Sequence, residues 1–385
     1  MGPCHRSPQS ARLGYVLPGP VLTHGDSVLM EARGYSALEA TARHWPGELV
    51  VIAPAVISVD TPMLRAHSRI AFSDLPFAVV VAEPEPEAID AQGLDLVTGL
   101  LAAPWRGLTA ARTPAVLTAE VNYGIRLGIY RATLKGLPLA RAAVGLVKVE
   151  RGIREQARTA RSLQCNGPAA IKTYGPLTAD PLSYMDHRIT RADVHAANGV
   201  EAWNGDRPLR LAFSGRLDPI KGPQYAVELA RRARSAGLPV EFSVFGSGPL
   251  EEDLRAGAEA WMEFRGFRDF RTHWLDDVRQ GVDLMVLPHQ QGDPSCTYFE
   301  ALGSGAPVLG FHNATLTPLV REHGIGWATR RGDVEGLLQQ LVRILDDPAL
   351  LQRARRAGLD LVGRNDFEST TARRVAHLRR HAAVM

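Results

Sequence analysis

Two cations five residues apart are the side chains of this sequence best suited to chemistry. Arg216 and Lys221 lie in the run F-S-G-R-L-D-P-I-K-G at 213–222, which ends an apolar stretch, turns at Gly215 and precedes a helical pattern. An arginine can bind two oxygens of a diphosphate, and a lysine adds a compact point charge. The run predicts either a diphosphate site or an ordinary strand–loop–helix connection with two solvated cations.

A second group of polar residues follows at 288–308, in the run P-H-Q-Q-G-D-P-S-C-T-Y-F-E-A-L-G-S-G-A-P-V. We expect a strand to end near Pro288 and a helix to begin within 295–297, where backbone N–H groups would bind phosphate or sugar oxygens. Glu300 has two interpretations. It is a ligand-binding carboxylate, or it completes a capping box with Thr297 and serves only the helix.

A third run, F-G-S-G-P at 245–249, places two glycines after a predicted strand. It is an incomplete form of the dinucleotide-binding G-x-G-x-x-G pattern. The competing interpretation is a plain turn between a strand and a helix.

Short apolar strands alternating with helices are expected to position these residues. Predicted strands cover 12–17, 48–53, 77–82, 94–98, 115–119, 209–214, 240–245, 283–287 and 307–310. Predicted helices cover 35–45, most of 132–163, 224–236, 249–259, 298–304, 334–345 and 348–362. This alternation indicates parallel βαβ units, and ligands of such sheets bind beyond the carboxyl ends of the strands.

The domain organisation expected from this pattern is two Rossmann-like, doubly wound α/β domains facing each other across a cleft. A turn-rich stretch at 198–208 is the predicted linker. We expect an acceptor-binding domain at 1–200, a sugar-nucleotide-binding domain at 201–365, and a helix at 366–385 that crosses back to the first domain.

Composition excludes several classes of protein. A net charge of +3 and the absence of a basic stripe interleaved with aromatic residues argue against nucleic-acid binding. No apolar run approaches the ~20 residues of a membrane-spanning helix, and no signal peptide is expected at the N-terminus. The scattered Cys4, Cys165 and Cys296 form neither a disulfide framework nor a zinc site. A cytoplasmic protein is expected.

Four arginines share one face of the predicted helix at 132–163, because they are spaced by three, four and three residues: Arg151, Arg154, Arg158 and Arg161. Such a face is either solvated, or it contacts anionic lipid or a lipid-linked diphosphate acceptor. The second interpretation predicts peripheral contact with the inner face of a membrane.

Taken in order, four motifs resemble those of the family-4 retaining glycosyltransferases of GT-B fold. They are G-R-L-x-x-x-K-G at 215–222, F-G-x-G-P at 245–249, R-G-F at 265–267 and E-A-L-x-x-G-x-P-V at 300–308. The resemblance covers 209–362. It implies transfer of a hexose-type sugar from a nucleoside diphosphate sugar to an acceptor hydroxyl, with retention. Because the sequence has no carboxylate cluster of the D-x-D type to hold a metal, neither a metal nor another cofactor is expected.

The resemblance also assigns roles to residues. Arg216 and Lys221 would be catalytic by gripping the diphosphate, and Glu300 would bind the nucleotide ribose. The further donor-binding candidates are Gly34, Gly215, Gly246, Phe267, Asp293, Ser295, Cys296 and Thr297. The family usually has a second glutamate, separated from Glu300 by seven residues, where this chain has Gly292. Asp293 beside it could supply a shorter carboxylate to the donor sugar.

The first half of the sequence offers fewer candidates. Glu120, Asn122 and Tyr123 follow the predicted strand 115–119, so they should lie at its carboxyl end. We expect Glu120 to be catalytic and the other two to bind the acceptor, with solvated loop polarity as the alternative. Gly34, just before the first helix, is expected to approach the donor phosphates.

Two other functions remain open from the sequence. A sugar-nucleotide epimerase can have the same architecture. A binding protein that kept the fold but lost turnover would account for Gly292.

Overall fold

A computed structural model describes residues 11–54, 67–102 and 107–382. Cys4 lies outside these residues. The described strands are β1 Leu13–Val16, β2 Leu22–His24, β3 Ser27–Glu31, β4 Leu49–Ala53, β5 His67–Ala71, β6 Ala78–Val81, β7 Leu96–Leu100, β8 Ala115–Ala119, β9 Ser162–Asn166, β10 Leu182–Tyr184, β11 Leu209–Ser214, β12 Val240–Phe245, β13 Met262–Gly266, β14 Leu284–Leu287, β15 Val308–Phe311 and β16 Gly326–Thr329.

The described α-helices are α1 Ala32–His44, α2 Pro86–Asp90, α3 Gly107–Ala110, α4 Tyr123–Thr133, α5 Gly136–Thr159, α6 Pro168–Tyr174, α7 Arg191–Asn198, α8 Pro223–Ser235, α9 Glu251–Ala256, α10 Leu275–Gly281, α11 Cys296–Gly303, α12 Leu316–His323, α13 Val334–Asp346, α14 Pro348–Arg364 and α15 Phe367–Ala382. A π-helical turn covers Phe270–Trp274. None of these described helices is both long enough and apolar enough to cross a membrane.

Contacts divide the chain into two compact units. Unit 1 contains the described residues up to Glu120, Val147–Tyr184 and those from Glu368 onward. Unit 2 contains Val121–Leu146 and Met185–Phe367. The acceptor and donor roles expected for the two halves of the sequence stay predictions.

Unit 1 is built on a parallel sheet with the strand order β10-β9-β8-β7-β1-β4-β6. Every residue of β4 and β8 is buried, as expected for strands covered on both faces. One face packs against α1 and α15 through residues such as Leu38 and Val375. The other packs against α5 and α6 through residues such as Ile153 and Ala170.

Unit 2 is built on a parallel sheet with the strand order β13-β12-β11-β14-β15-β16. Counted from its first strand this is 3-2-1-4-5-6, the order of a Rossmann sheet. One face is covered by α8 and α13. The other is covered by α10, α11, α12 and α14. Both sheets confirm the predicted doubly wound α/β class.

Several local predictions are confirmed and others are wrong. The strands 115–119, 209–214 and 240–245 occur as predicted. The helix predicted at 132–163 ends at Thr159, and β9 begins at Ser162. The helix predicted at 249–259 is shorter, and Pro249 lies outside it. Unit 1 also contains an antiparallel sheet of β2, β3 and β5, which was not predicted.

Candidate active site

The candidate site lies in unit 2, at the point where the strand order of its sheet reverses. β11 and β14 are neighbours in the sheet although two strands separate them in sequence. The loop 215–222 follows β11, and the loop 288–295 follows β14. In Rossmann-like sheets the crevice at such a reversal, beyond the carboxyl ends of the strands, is where ligands bind. The fold therefore brings together the two loops that the sequence singled out.

Glycines allow these loops to approach one another closely. Gly246 has a φ of +120°, and a Cβ built there would lie 1.9 Å from the backbone oxygen of Gly215. Gly222 has a φ of +73°, and its Cβ would lie 2.3 Å from the backbone oxygen of Pro288. A side chain at either position would push the loops apart. Gly222 and Gly246 thus allow the close packing of these loops, and Gly215 supplies the backbone oxygen that Gly246 approaches.

The two cations of the first motif have different surroundings. Lys221 is largely buried, and its Nζ donates to Oδ2 of Asp293 at 2.8 Å. Arg216 is 61% exposed, and its guanidinium lies 3.1 Å from the carboxylate of its neighbour Asp218. Lys221 is therefore fixed by the loop after β14, whereas Arg216 can reorient toward an anionic ligand.

Asp293, not residue 292, supplies the carboxylate of this loop. A Cβ at Gly292 would lie 2.7 Å from the backbone nitrogen of Ala314, so a glutamate does not fit there in this backbone conformation. Burial alone would raise the pKa of Asp293, but the positive charge of Lys221 outweighs it, so the pKa of this carboxyl is lowered. Asp293 Oδ1 is buried and has no hydrogen-bond partner among the described residues. One oxygen of this carboxylate is thus left for a ligand.

His289 is a site residue that sequence reasoning missed. It is the second residue after β14, is 1% exposed, and burial together with the Lys221 charge lowers its pKa to about 3. Its Nδ1 lies 3.1 Å from the hydroxyl of Tyr298. Its Nε2 is buried without a partner among the described residues. The signal in the sequence was a histidine two residues after a buried strand, at the expected binding edge.

Glu300 lies on α11 and is 3% exposed. Its Oε1 accepts a hydrogen bond from Nε of Arg188 at 2.8 Å, and the Arg188 guanidinium stacks on the ring of Phe270 at 3.7 Å. The capping-box interpretation is wrong. The helix begins one residue before Thr297, and its N-cap is Ser295, so Glu300 pairs with a side chain and not with the N-cap backbone.

α11 begins directly after the same loop. The hydroxyl of Ser295 lies 3.4 Å from that of Thr297 and accepts no bond from the first helical turn. Cys296, the first helical residue, is partly exposed. Phe267, beyond the end of β13, is 63% exposed and so presents a free ring face. The donor-binding roles of these residues stay predictions.

The remaining candidates follow β8 or lie in α1. Glu120, in unit 1, accepts a hydrogen bond from the Asn166 amide at 3.0 Å. Asn122 is the N-cap of α4, where its side chain accepts from the backbone N–H of Ile125 at 3.0 Å. Tyr123 donates its hydroxyl to a backbone oxygen of α5 at 3.4 Å. Gly34 lies inside the first turn of α1, not before it.

The arginine face is only partly as expected. Arg151 and Arg158 are exposed on α5. Arg154 pairs with Glu150 at 3.0 Å, and Arg161 lies beyond the end of the helix at Thr159. The helical face therefore ends before Arg161 and contains one arginine that is already paired.

One cluster of potential metal ligands occurs among the described residues, and it lies in unit 1: Asp180, His377 and His381. Existing hydrogen bonds already account for it. The Asp180 carboxylate accepts from Arg380 at 3.0 Å, and His377 Nε2 lies 2.8 Å from the Asp180 backbone oxygen. These contacts tie α15 to the segment before β10.

Comparison with solved structures identifies the fold. Unit by unit, the architecture is that of the GT-B glycosyltransferases, with two Rossmann-like parallel sheets and their helices. HepE of Anabaena in complex with UDP is 16% identical, with a TM-score of 0.61 over 95% of this chain and 98% of HepE. Sucrose-phosphate synthase from Thermosynechococcus elongatus is 15% identical, with a TM-score of 0.63 over 96% of this chain and 98% of the synthase.

Comparison with known sequences finds matches to part of the chain. Residues 208–347 match the family described as Glycosyl transferases group 1. Alpha-D-kanosaminyltransferase of Streptomyces kanamyceticus is 25% identical over 184 residues, 46% of this chain and 45% of the relative. The putative colanic acid biosynthesis glycosyltransferase WcaL of Escherichia coli K12 is 26% identical over 163 residues, 39% and 40% of the two chains. The matched segments thus span less than half the length of these relatives.

Proposed function

We propose that this chain is a retaining glycosyltransferase that moves a hexose-type sugar from a nucleoside diphosphate sugar to an acceptor hydroxyl. The proposal rests on one observation: the loops after β11 and β14 contact each other, through the hydrogen bond from Lys221 to Asp293. Both residues lie in the segment that matches Glycosyl transferases group 1. Retention rests on the resemblance to family-4 enzymes. The names of the relatives suggest polysaccharide, glycoconjugate or natural-product biosynthesis.

In this proposal the protein supplies charge and orientation. Breaking the bond between the sugar and the diphosphate leaves negative charge on the leaving oxygen. Arg216 and Lys221, aided by N–H groups at the start of α11, would stabilise that charge as it develops. Glu300 would accept hydrogen bonds from the ribose hydroxyls, and Phe267 could stack on the base. Gly34, Ser295, Cys296 and Thr297 would complete the donor site.

Acceptor binding is assigned to the residues after β8. Glu120 would act on the acceptor hydroxyl as a catalytic carboxylate, with Asn122 and Tyr123 as its neighbours in sequence. All three side chains already make hydrogen bonds within the protein, so each contributes to the local structure. Their substitution therefore needs a stability measurement beside every activity measurement.

The proposed activity is tested with a panel of UDP-, GDP-, ADP- and dTDP-hexoses. UDP donors come first, because HepE was solved with UDP. The expected result is release of the nucleoside diphosphate that one hexose donor supports and that an acceptor accelerates. An epimerase would convert the donor without releasing nucleoside diphosphate. A binding protein without turnover would show donor-dependent thermal stabilisation and no release.

We further propose peripheral contact with an anionic membrane at the cytoplasmic face. Five exposed residues share one face of α5 because their spacing is four, three, four and three: Leu137, Arg141, Val144, Lys148 and Arg151. The stretch 121–149 contains no acidic residue. Exposed apolar side chains beside cations match the chemistry of an anionic lipid surface.

Sedimentation with lipid vesicles tests the contact. The chain should bind phosphatidylglycerol vesicles more tightly than phosphatidylcholine vesicles. The double variant Leu137→Ser/Val144→Ser should lose this binding, whereas Phe72→Ser, at another exposed apolar residue of the chain, should keep it. Equal binding by all three proteins would contradict the assignment to α5.

A further inference from the structure

A chain of hydrogen bonds fixes the orientation of the His289 ring proton. The side-chain oxygen of Asn313 accepts from the backbone N–H groups of Thr315 and Leu316 at 2.9 and 2.8 Å. Its amide nitrogen therefore faces Tyr298, and it donates to the Tyr298 hydroxyl at 3.1 Å. That hydroxyl must direct its own proton to Nδ1 of His289, 3.1 Å away.

The ring of His289 is neutral, because burial lowers its pKa to about 3. A neutral imidazole has one N–H, and Nδ1 is already an acceptor. The proton therefore lies on Nε2. This N–H is buried and has no partner in the part of the chain that the structure describes. An unpaired buried donor is rare in folded proteins and calls for an explanation.

An unpaired acceptor lies at the same site. Hydrogen bonds place His289 beside the pair of Lys221 and Asp293. The backbone N–H of Gln290 donates to the backbone oxygen of Ile220 at 2.9 Å, and Lys221 Nζ donates to Asp293 Oδ2 at 2.8 Å. Oδ2 of Asp293 accepts from Lys221, but the buried Oδ1 has no partner among the described residues. One free donor and one free acceptor complement a hydroxyl group, which both accepts and donates. A phosphate offers only acceptors, and its charge would meet that of the Asp293 carboxylate.

We propose that His289 and Asp293 together bind one hydroxyl of the transferred sugar. The Nε2–H of His289 donates to the hydroxyl oxygen, and the hydroxyl proton is donated to Oδ1 of Asp293. Lys221 would thus bind the diphosphate with its charge and, from the same position, hold the Asp293 carboxylate in place for the sugar. The inference rests on the proposed function and adds a substrate requirement: the donor hexose must carry this hydroxyl.

Donors that each lack one hydroxyl of the hexose test this without any variant. The wild-type chain should discriminate strongly against one of these analogues, because its binding leaves two buried polar atoms unpaired. We expect about a tenfold or larger loss of affinity for that analogue. Equal binding of the parent donor and all the analogues would overturn the proposal.

The double variant His289→Phe/Tyr298→Phe identifies the groups involved. It keeps two packed rings, 5.1 Å apart in the wild type, and removes the N–H without stranding the Tyr298 hydroxyl. Affinity for the parent UDP-hexose should fall about tenfold, while affinity for UDP should change by less than roughly twofold. The preference against the deoxy analogue should disappear in this variant. Tyr298→Phe alone, which keeps the imidazole, should lose much less.

His377→Phe is the matched control, because it removes a buried histidine of unit 1 whose nitrogens both have partners. It should lower stability and leave the ratio of UDP-hexose to UDP affinity unchanged. An equal loss of UDP and UDP-hexose affinity in the double variant would instead mean a phosphate contact. Unchanged affinities would make His289 a packing residue. If no nucleotide sugar of the panel binds the wild type, it is the proposed function that fails.

Discussion

Replacing Glu300 by glutamine separates a ligand-binding role from a structural one. The Glu300 side chain is 4% exposed and pairs with an Arg188 side chain that is 29% exposed. Removing one partner of a fully buried pair costs about 3–5 kcal/mol. Here glutamine keeps an acceptor oxygen, and Arg188 remains partly solvated above Phe270. We therefore expect a cost of only ~1–2 kcal/mol in the free energy of unfolding.

For a unit of this size the cost corresponds to a fall in Tm of roughly 2–8 °C. The effect on the donor should be larger. Hydrogen bonds to a charged group contribute about 1.5–3 kcal/mol each, so the nucleotide sugar should bind at least about tenfold more weakly. Differential scanning fluorimetry and calorimetric titration of the same preparations measure both quantities.

Arg188→Met is the paired variant. It leaves the Glu300 carboxylate in place but without its partner, so it should destabilise unit 2 by more than Glu300→Gln does. It should nevertheless bind the donor at nearly the wild-type affinity, because the ribose ligand is retained. If both variants lose stability and donor affinity in parallel, the pair is structural and Glu300 does not contact the nucleotide.

Three further predictions concern the same site. Arg216→Ala should lower turnover about a hundredfold or more with an unchanged Tm. Lys221→Ala should also lower the Tm, because it leaves the buried Asp293 carboxylate without its partner. Near-normal turnover in both variants would show that these residues do not bind the diphosphate. EDTA should leave turnover intact, because these two cations neutralise the charge of the diphosphate. Complete loss of turnover in EDTA would contradict this mechanism. The pKa of His289 is about 3 in the folded chain against an ordinary 6.5, so the unfolded state takes up this proton first. The free energy of unfolding should therefore fall as the pH drops from 6.5 toward 3, by about 1.4 kcal/mol per pH unit from this group. Urea unfolding at several pH values measures this dependence. In His289→Phe/Tyr298→Phe the free energy of unfolding should change less steeply with pH, by the equivalent of one proton. An identical pH dependence would show that the histidine is not held neutral.

The α/β class could be predicted because the central strands are apolar on both faces. The strand 115–119 (A-V-L-T-A) and the strand 209–214 (L-R-L-A-F-S) are examples, and both are confirmed. β9 was missed because its sequence, S-L-Q-C-N, is partly polar. Gln164 is buried there, and its side chain bonds to Arg374, 210 residues later in the chain. No local pattern contains such a partner.

The same distinction applies to the site. The positions of Arg216 and Lys221 in the loop after β11 follow from where that strand ends, and the local sequence is enough to predict that boundary. The partner of Glu300 lies 112 residues away, and the tautomer of His289 depends on Asn313 through Tyr298. The sequence showed that a glutamate is missing at Gly292. The close approach of Ala314, which closes that position, is a tertiary contact.

The return of α15 to unit 1 sets an order on biosynthesis. Val375 and Leu378 belong to the same core as Leu13 and Trp45. A ribosome therefore releases most of this core long before the helix that covers it, and all of unit 2 is synthesised in between. Domains generally fold in the order in which they emerge, but here the unit that starts first must finish last. During that interval its sheet exposes an apolar face, which is the kind of surface that chaperones bind.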